Sequence, residues 1–305
     1  MNQSPLYKLG NKRRLASILN TTLPELQKLV RRNDNYLTFK INPDSDKPRP
    51  VETPKPRMER IHRRLFELLS RIEPPEYLHS GVKGRSYITN AQTHAGSRTM
   101  VKLDIVRFFP STKRWHVYDF FRNVLFCSGD VAGLLANICT VEGHLPTGSC
   151  VSQVLTFYAH KQMFDDISDG SSDDGLTMTC YVDDIAISGD NASGKTLHAA
   201  RTRIKQRGLA SHKKKEKIYP ENRPKLVTGV IIDGETLKLP NRKHKEIYKG
   251  VLNADNLEDD SEKSGVLEKA LNRSIAAAQI DPAFQGRVRH LKRLTTRLQK
   301  ELAVA

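Results

Sequence analysis

The chain has 305 residues, with 50 Lys and Arg against 34 Asp and Glu, a formal charge of +16. That length supports one large domain or two to three subdomains, and the cation surplus points to a polyanionic partner, nucleic acid first. No apolar run reaches the roughly 18 residues of a membrane span, no secretory leader pattern opens the chain, and Cys127, Cys139, Cys150 and Cys180 show neither Cys-x-x-Cys nor zinc spacing. A membrane protein, a disulfide scaffold and a zinc module are excluded on these grounds, and a soluble cytoplasmic protein with reduced thiols is expected.

Leu15, Ile18, Leu19, Leu23, Leu26 and Leu29 fall at helical spacing and predict two helices within 5–33, broken near Pro24. Residues 36–56 are Pro-rich and strand-like. An amphipathic helix is expected over 57–72, with Ile61, Leu65, Leu68 and Leu69 inward and Pro74-Pro75 as its stop. A short strand follows at 99–105, then helices at 113–127, 130–139 and 152–167, and a polar loop at 165–175. Residues 178–188 read as a hairpin and 193–208 as a basic helix. Residues 226–233 and 235–239 read as a second hairpin turning at Asp233-Gly234. From 241 onward the pattern is helical with a polar break at 253–264. The class is α+β, and no internal repeat is visible.

One feature of the hairpin needs a chemical explanation. Asp183 and Asp184 are adjacent carboxylates inside the apolar run Met178-Thr-Cys-Tyr-Val-Asp-Asp-Ile-Ala-Ile-Ser188. Burying one unpaired charge costs several kcal/mol, and a like-charged neighbour adds to it. A tight turn between short strands presents both, and a divalent cation with hard oxygen preference compensates them. Residues 165–190 hold eight Asp and no Lys or Arg, whereas 1–64 and 201–225 are basic. A basic shell around an acidic centre suits a protein that grips phosphates and holds metal. A second carboxylate strand is available in Val101-Lys-Leu-Asp-Ile-Val-Arg-Phe-Phe-Pro-Ser111. Asp104 alone would read as a strand-end cap; beside Asp183-Asp184 it reads as a metal ligand, with the Ile105 carbonyl next to it and Phe109 five residues on.

These residues resemble reverse transcriptases, and the resemblance runs from about residue 45 to 245. Lys47 and Arg49, in Lys47-Pro-Arg-Pro-Val-Glu-Thr-Pro54, are similar to the fingers residues that hold the triphosphate. Thr147 and Gly148, in Leu145-Pro-Thr-Gly-Ser-Cys-Val-Ser152, match the segment supporting templating base and nucleotide, with Thr147 where the family usually has Gln. Gly208-Leu-Ala-Ser-His-Lys-Lys-Lys215 resembles the segment with a lysine near the leaving pyrophosphate, which makes Lys214 a candidate general acid or, alternatively, part of a solvated run. Asn90-Ala91-Gln-Thr-His94 and Val227-Thr228-Gly229 resemble signatures of the retron-type (bacterial) enzymes; otherwise Asn90 and His94 cap a helix and Gly229 relieves a strand.

The resemblance implies a right-hand polymerase: an N-terminal helical region at 1–35, fingers and palm at 36–235 and a helical thumb at 236–305. It implies two Mg²⁺ ions at Asp104, Ile105, Asp183 and Asp184, with Asp104 and Asp183 as the main ligands. Phe109 would lie under the incoming sugar, and dNTPs would be the substrates. It further implies a cognate structured noncoding RNA as template and partner, a branched single-stranded DNA product and a separate effector protein in phage defence. Some 60 residues after the core are too few for an RNase H domain. Arg289 and Arg293, with Arg287, Lys292 and Arg297, would follow RNA or duplex backbone, or else form a solvated helix face. Other prokaryotic defence reverse transcriptases, templated or untemplated, stay open as readings, as does a catalytically silent RNA scaffold. Gly189-Asp-Asn-Ala-Ser-Gly194-Lys195-Thr196 matches a phosphate-binding P-loop and keeps an NTPase as a rival. The Asp165–Asp174 run does not have EF-hand spacing.

Overall fold

In the computed structural model, which describes residues 1–43 and 48–302, two short helices, α1 (Lys12–Ile18) and α2 (Leu23–Arg31), lead into the hairpin β1 (Tyr36–Ile41) and β2 (Arg49–Pro54). Asn11 and Thr22 cap the two helices through their side chains, and Pro24 stands in the first turn of α2, where a missing N–H costs nothing. The helix α3 (Pro56–Leu69) buries Met58, Ile61, His62, Leu65, Leu68 and Leu69, one face of a 3.6-residue repeat. Then come α4 (Tyr87–Gln92), β3 (Thr99–Asp104), α5 (Phe108–Ser111), α6 (Arg114–Asp119), a π-helical turn (Phe120–Val124), α7 (Gly129–Cys139), α8 (Cys150–Ala159) and α9 (Lys161–Asp173).

The central sheet uses β3 with β4 (Thr177–Tyr181), β5 (Asp184–Gly189) and, after α10 (Gly194–Gln206), β6 (Lys217–Tyr219). Its order is β4-β5-β3-β6 and every pairing is antiparallel. A three-stranded meander of β7 (Lys225–Val227), β8 (Val230–Asp233) and β9 (Thr236–Lys238) follows. The helices α11 (Asn241–Asp255), α12 (Asp260–Ala278) and α13 (Gln285–Leu302) end the described chain.

The fold is α+β, as expected. One apolar core joins Leu6 of the opening turns and the N-terminal helices (Leu15, Leu26) to α7, α8 and the sheet, so residues 1–35 share the main core. The C-terminal helices bury their own clusters around Ala254, Leu267 and Leu291, and around Ile247 and Phe284. Among the described residues no helix is long and apolar enough to cross a membrane.

Four local expectations are corrected. The polar run after 165 is helical to Asp173, because Met163, Phe164, Ile167 and Ser171 give it a buried face while Asp165 pairs with Lys161 one turn back. The expected 152–167 helix breaks at His160 instead. The 113–127 helix stops at Asp119 and continues as the π-helical turn. The second hairpin has three strands, since Thr228 (φ 46°) and Gly229 (φ 82°) make an additional tight turn.

Candidate active site

The sheet register gathers the three aspartates. β3 and β5 pair so that Asp104 lies directly opposite Asp184. Tyr181 and Asp184 close the β4–β5 hairpin, leaving Val182 and Asp183 as a two-residue turn. Ile105 N–H donates to the Asp183 carbonyl at 2.9 Å, tying the turn to the end of β3. Ile105 follows Asp104 at this strand end and is fully buried. Val182 holds φ 58°, a left-handed conformation that costs a β-branched residue about 1–2 kcal/mol.

Asp104 is buried at 7% exposure, and Asp183 and Asp184 are half-buried. Lys215 Nζ reaches Asp104 Oδ2 at 2.7 Å and Lys102 Nζ reaches Asp184 Oδ1 at 3.3 Å. Asp183 has no ion pair among the described residues. Its carboxyl is pushed up to about 6, first by burial and then by the neighbouring Asp104 charge. Burial also raises Asp184, with Lys102 pulling the other way.

Among the described residues no three His, Cys, Asp or Glu side chains already converge as a finished metal cage; lysine ammoniums hold Asp104 and Asp184 instead. The donor set nevertheless fits Mg²⁺. It is all oxygen, three carboxylates share one sheet end, and Asp183 carries a burial and like-charge cost, only partly offset by Lys215, that a cation relieves.

The other expected residues are placed as follows. Lys214 is exposed and makes no ion pair among the described residues, so the lysine that touches the cluster is Lys215, one position on. The reason is local: His212 N–H donates to the Asp104 carbonyl at 2.7 Å, and the chain then turns through 212–215, bringing Lys215 over the carboxylate. Phe109 is half-buried on α5 against the main core. Thr147 spends its hydroxyl on the Pro50 carbonyl and the Glu52 N–H, which docks β2 against the 145–148 segment. Gly148 is required there, since a Cβ would sit 2.6 Å from Thr53 Oγ1 and 2.9 Å from the Glu52 carbonyl. Arg49 is exposed at the start of β2, and Lys47 lies outside the described residues.

Direct RNA contact does not fit Asn90, Ala91, His94 or Val227, whose exposures are 2%, 0%, 0% and 1%. His94 bonds Ser188 Oγ and Thr179 Oγ1, both at 2.7 Å, and so braces the chain just after α4 against β5 and β4. Burial holds its imidazole down to about 4, hence neutral. Asn90 Nδ2 donates to Thr228 Oγ1, and Thr228 Oγ1 donates to the Tyr87 carbonyl. Thr228 and Gly229 line a cleft of about 350 Å³ with Tyr87, Tyr181, Lys243 and Arg273. Arg289 and Arg293 share a basic face of α13 with Lys292, Arg297 and Lys300, whereas Arg287 turns over the Phe284 ring.

The P-loop rival does not fit. The Ser193 N–H donates to Thr196 Oγ1 in a helix-opening capping box, and Gly189 is a packing glycine whose Cβ would lie 2.6 Å from Leu176 Cδ2.

No protein-family model matches the chain. It is 29% identical over 195 residues to the retron Se72 reverse transcriptase of Salmonella heidelberg, covering 62% of this chain and 50% of that protein. It is 27% identical over 301 residues to the retron Ec48 reverse transcriptase of Escherichia coli, covering 92% and 72%. It is 29% identical over 252 residues to the retron Mx65 reverse transcriptase of Myxococcus xanthus, covering 75% and 58%. The chain thus spans from half to under three-quarters of these relatives' own lengths. A solved foamy viral protease–reverse transcriptase with double-stranded DNA overlaps 87% of this chain and 43% of that one, at a TM-score of 0.45 and 14% identity. Three aspartates are gathered on one sheet end, and the chain is similar over most of its length to retron reverse transcriptases.

Proposed function

We propose that the chain is an RNA-directed DNA polymerase that copies part of a structured noncoding RNA into single-stranded DNA branched to that RNA, within a retron defence system. The observation that carries the chemistry is the Asp104–Asp184 cross-strand pair with Asp183 in the adjoining turn. Asp104 and Asp183 would hold two Mg²⁺, supported by Asp184 and the Ile105 carbonyl; when bound, the ions supply activation of the primer hydroxyl and charge neutralisation on the triphosphate. Lys215, released from Asp104, carries a proton within reach of the leaving pyrophosphate, the role first expected of Lys214. Arg49, with Lys47, grips triphosphate oxygens, Arg in its two-pronged way. Phe109 faces the sugar, and Thr147-Gly148 holds the β1–β2 hairpin over the site.

The basic face of α13 follows the nucleic-acid backbone, a sequence-independent and salt-sensitive contact. The surface left for reading RNA shape near the retron-like signatures is the Thr228-Gly229 turn rather than the buried Asn90 and His94. dNTPs are the substrates, the effector is a separate protein, and this chain acts in the cytoplasm.

The test is primer extension by the purified protein on an RNA template with Mg²⁺ and dNTPs, beside Asp183→Asn. Templated DNA that vanishes in the variant and on chelation supports the reading. Untemplated DNA that still needs Asp183 favours another defence polymerase. Extension that survives Asp183→Asn removes the assignment of the site.

A further inference from the structure

The Asp183 turn is supported by a segment outside the sheet. Tyr77–Ser80 runs parallel to the end of β4: Cys180 N–H donates to the Tyr77 carbonyl at 2.7 Å, and His79 N–H donates to the Cys180 carbonyl at 2.9 Å. One residue on, the backbone contact is replaced by a side chain. Val182 N–H donates to Ser80 Oγ at 2.9 Å, and Ser80 is only 6% exposed. The segment then leaves at Gly81, with φ 68°, beside Gln153. Leu78 packs into the main core, and Leu78, Ser80 and Gly81 also line a cleft of about 450 Å³.

We propose that Ser80 is a positioning residue for the catalytic turn, its hydroxyl oxygen holding Val182 in the left-handed conformation that aims Asp183 at Asp104. This rests on the polymerase reading of the site. Val182 at φ 58° persists only if its surroundings over-determine it. Ser80 Oγ takes the Val182 N–H, and Ile105 N–H holds the Asp183 carbonyl from the other side. Without the Ser80 acceptor, the turn relaxes toward ordinary backbone angles and Asp183 swings with it.

The experiment is a double-mutant cycle of Ser80→Ala and Val182→Gly in the full chain, read by primer extension and by amide exchange. Ser80→Ala should lower kcat about tenfold to a hundredfold with little change in KM for dNTP. It should speed exchange of the Val182 amide about tenfold or more while β3 stays protected. Glycine adopts positive φ without strain, so in the Val182→Gly background the same Ser80→Ala change should cost less than about threefold. A kcat within twofold of the parent, an unchanged Val182 amide, or an equal loss in both backgrounds would overturn the proposal. Extension by the unaltered chain tests the polymerase reading separately, and the exchange measurement decides the Ser80 bond whether or not the chain polymerises.

Discussion

Three aspartates meet at one sheet end, and the two lysines beside them are not equivalent. Lys215 reaches a buried carboxylate that would hold metal; Lys102 reaches its half-buried neighbour from within β3. Lys215→Ala should lower kcat by about a hundredfold or more, whereas Lys214→Ala should leave it within twofold. Steady-state incorporation at saturating dNTP checks both, and equal effects would return the role to a shared solvated run. The aspartates were legible in the sequence because adjacent carboxylates in an apolar strand have few explanations. The lysine register was not, because a run of Lys213, Lys214 and Lys215 looks alike until the His212 N–H to Asp104 bond fixes how the chain turns.

Among the elements, α4 and the β4–β5 hairpin form a unit locked by His94. Both ring nitrogens are engaged and the side chain is fully buried, so His94→Ala removes two hydrogen bonds and strands the Thr179 hydroxyl, while Ser188 keeps its bond to Ser97 Oγ at 2.9 Å. The expected cost is about 2–4 kcal/mol in urea unfolding. A loss under about 0.5 kcal/mol would mean the brace does not hold the hairpin. In the sequence, Asn90 and His94 stood out as a signature, but a polar residue in a short helix gives no sign of whether it faces a ligand or a hydroxyl-lined interior. The helix α9 was hidden for a related reason. Its acidic residues suggested a loop, and only Met163, Phe164, Ile167 and Ser171 betray the buried face. The strand β6, three residues long, carries too little pattern to be seen. The long amphipathic α3 and the Asp-Asp hairpin were visible because their periods of 3.6 and 2 are sustained.

Over the whole molecule, burial of imidazoles makes the fold sensitive to acid, while the raised Asp183 carboxyl opposes it over part of the same range. His62, His94 and His116 are held down to about 4, and His160 well below its ordinary value, chiefly because burial disfavours their charged form. Each has a folded-state pKa below its unfolded value of 6.5, so the unfolded chain binds more protons in between. This contribution is therefore full above about pH 6.5 and is lost toward pH 4, at up to about 1.4 kcal/mol per pH unit for each imidazole. Urea midpoints from pH 7.5 to 4.5 check it; stability that is flat or rises on acidification would contradict the burial of these rings.

The basic shell and the carboxylate centre serve one proposed activity, branched-DNA synthesis, whose decisive test is in cells. The chain is expressed with its flanking noncoding DNA, beside an Asp183→Ala/Asp184→Ala variant, and the extracted nucleic acid is run on a denaturing gel. A discrete RNase-resistant DNA band that shifts after debranching and vanishes in the variant is the predicted result. A band of equal intensity in both, or no DNA that depends on the two aspartates, would contradict the account.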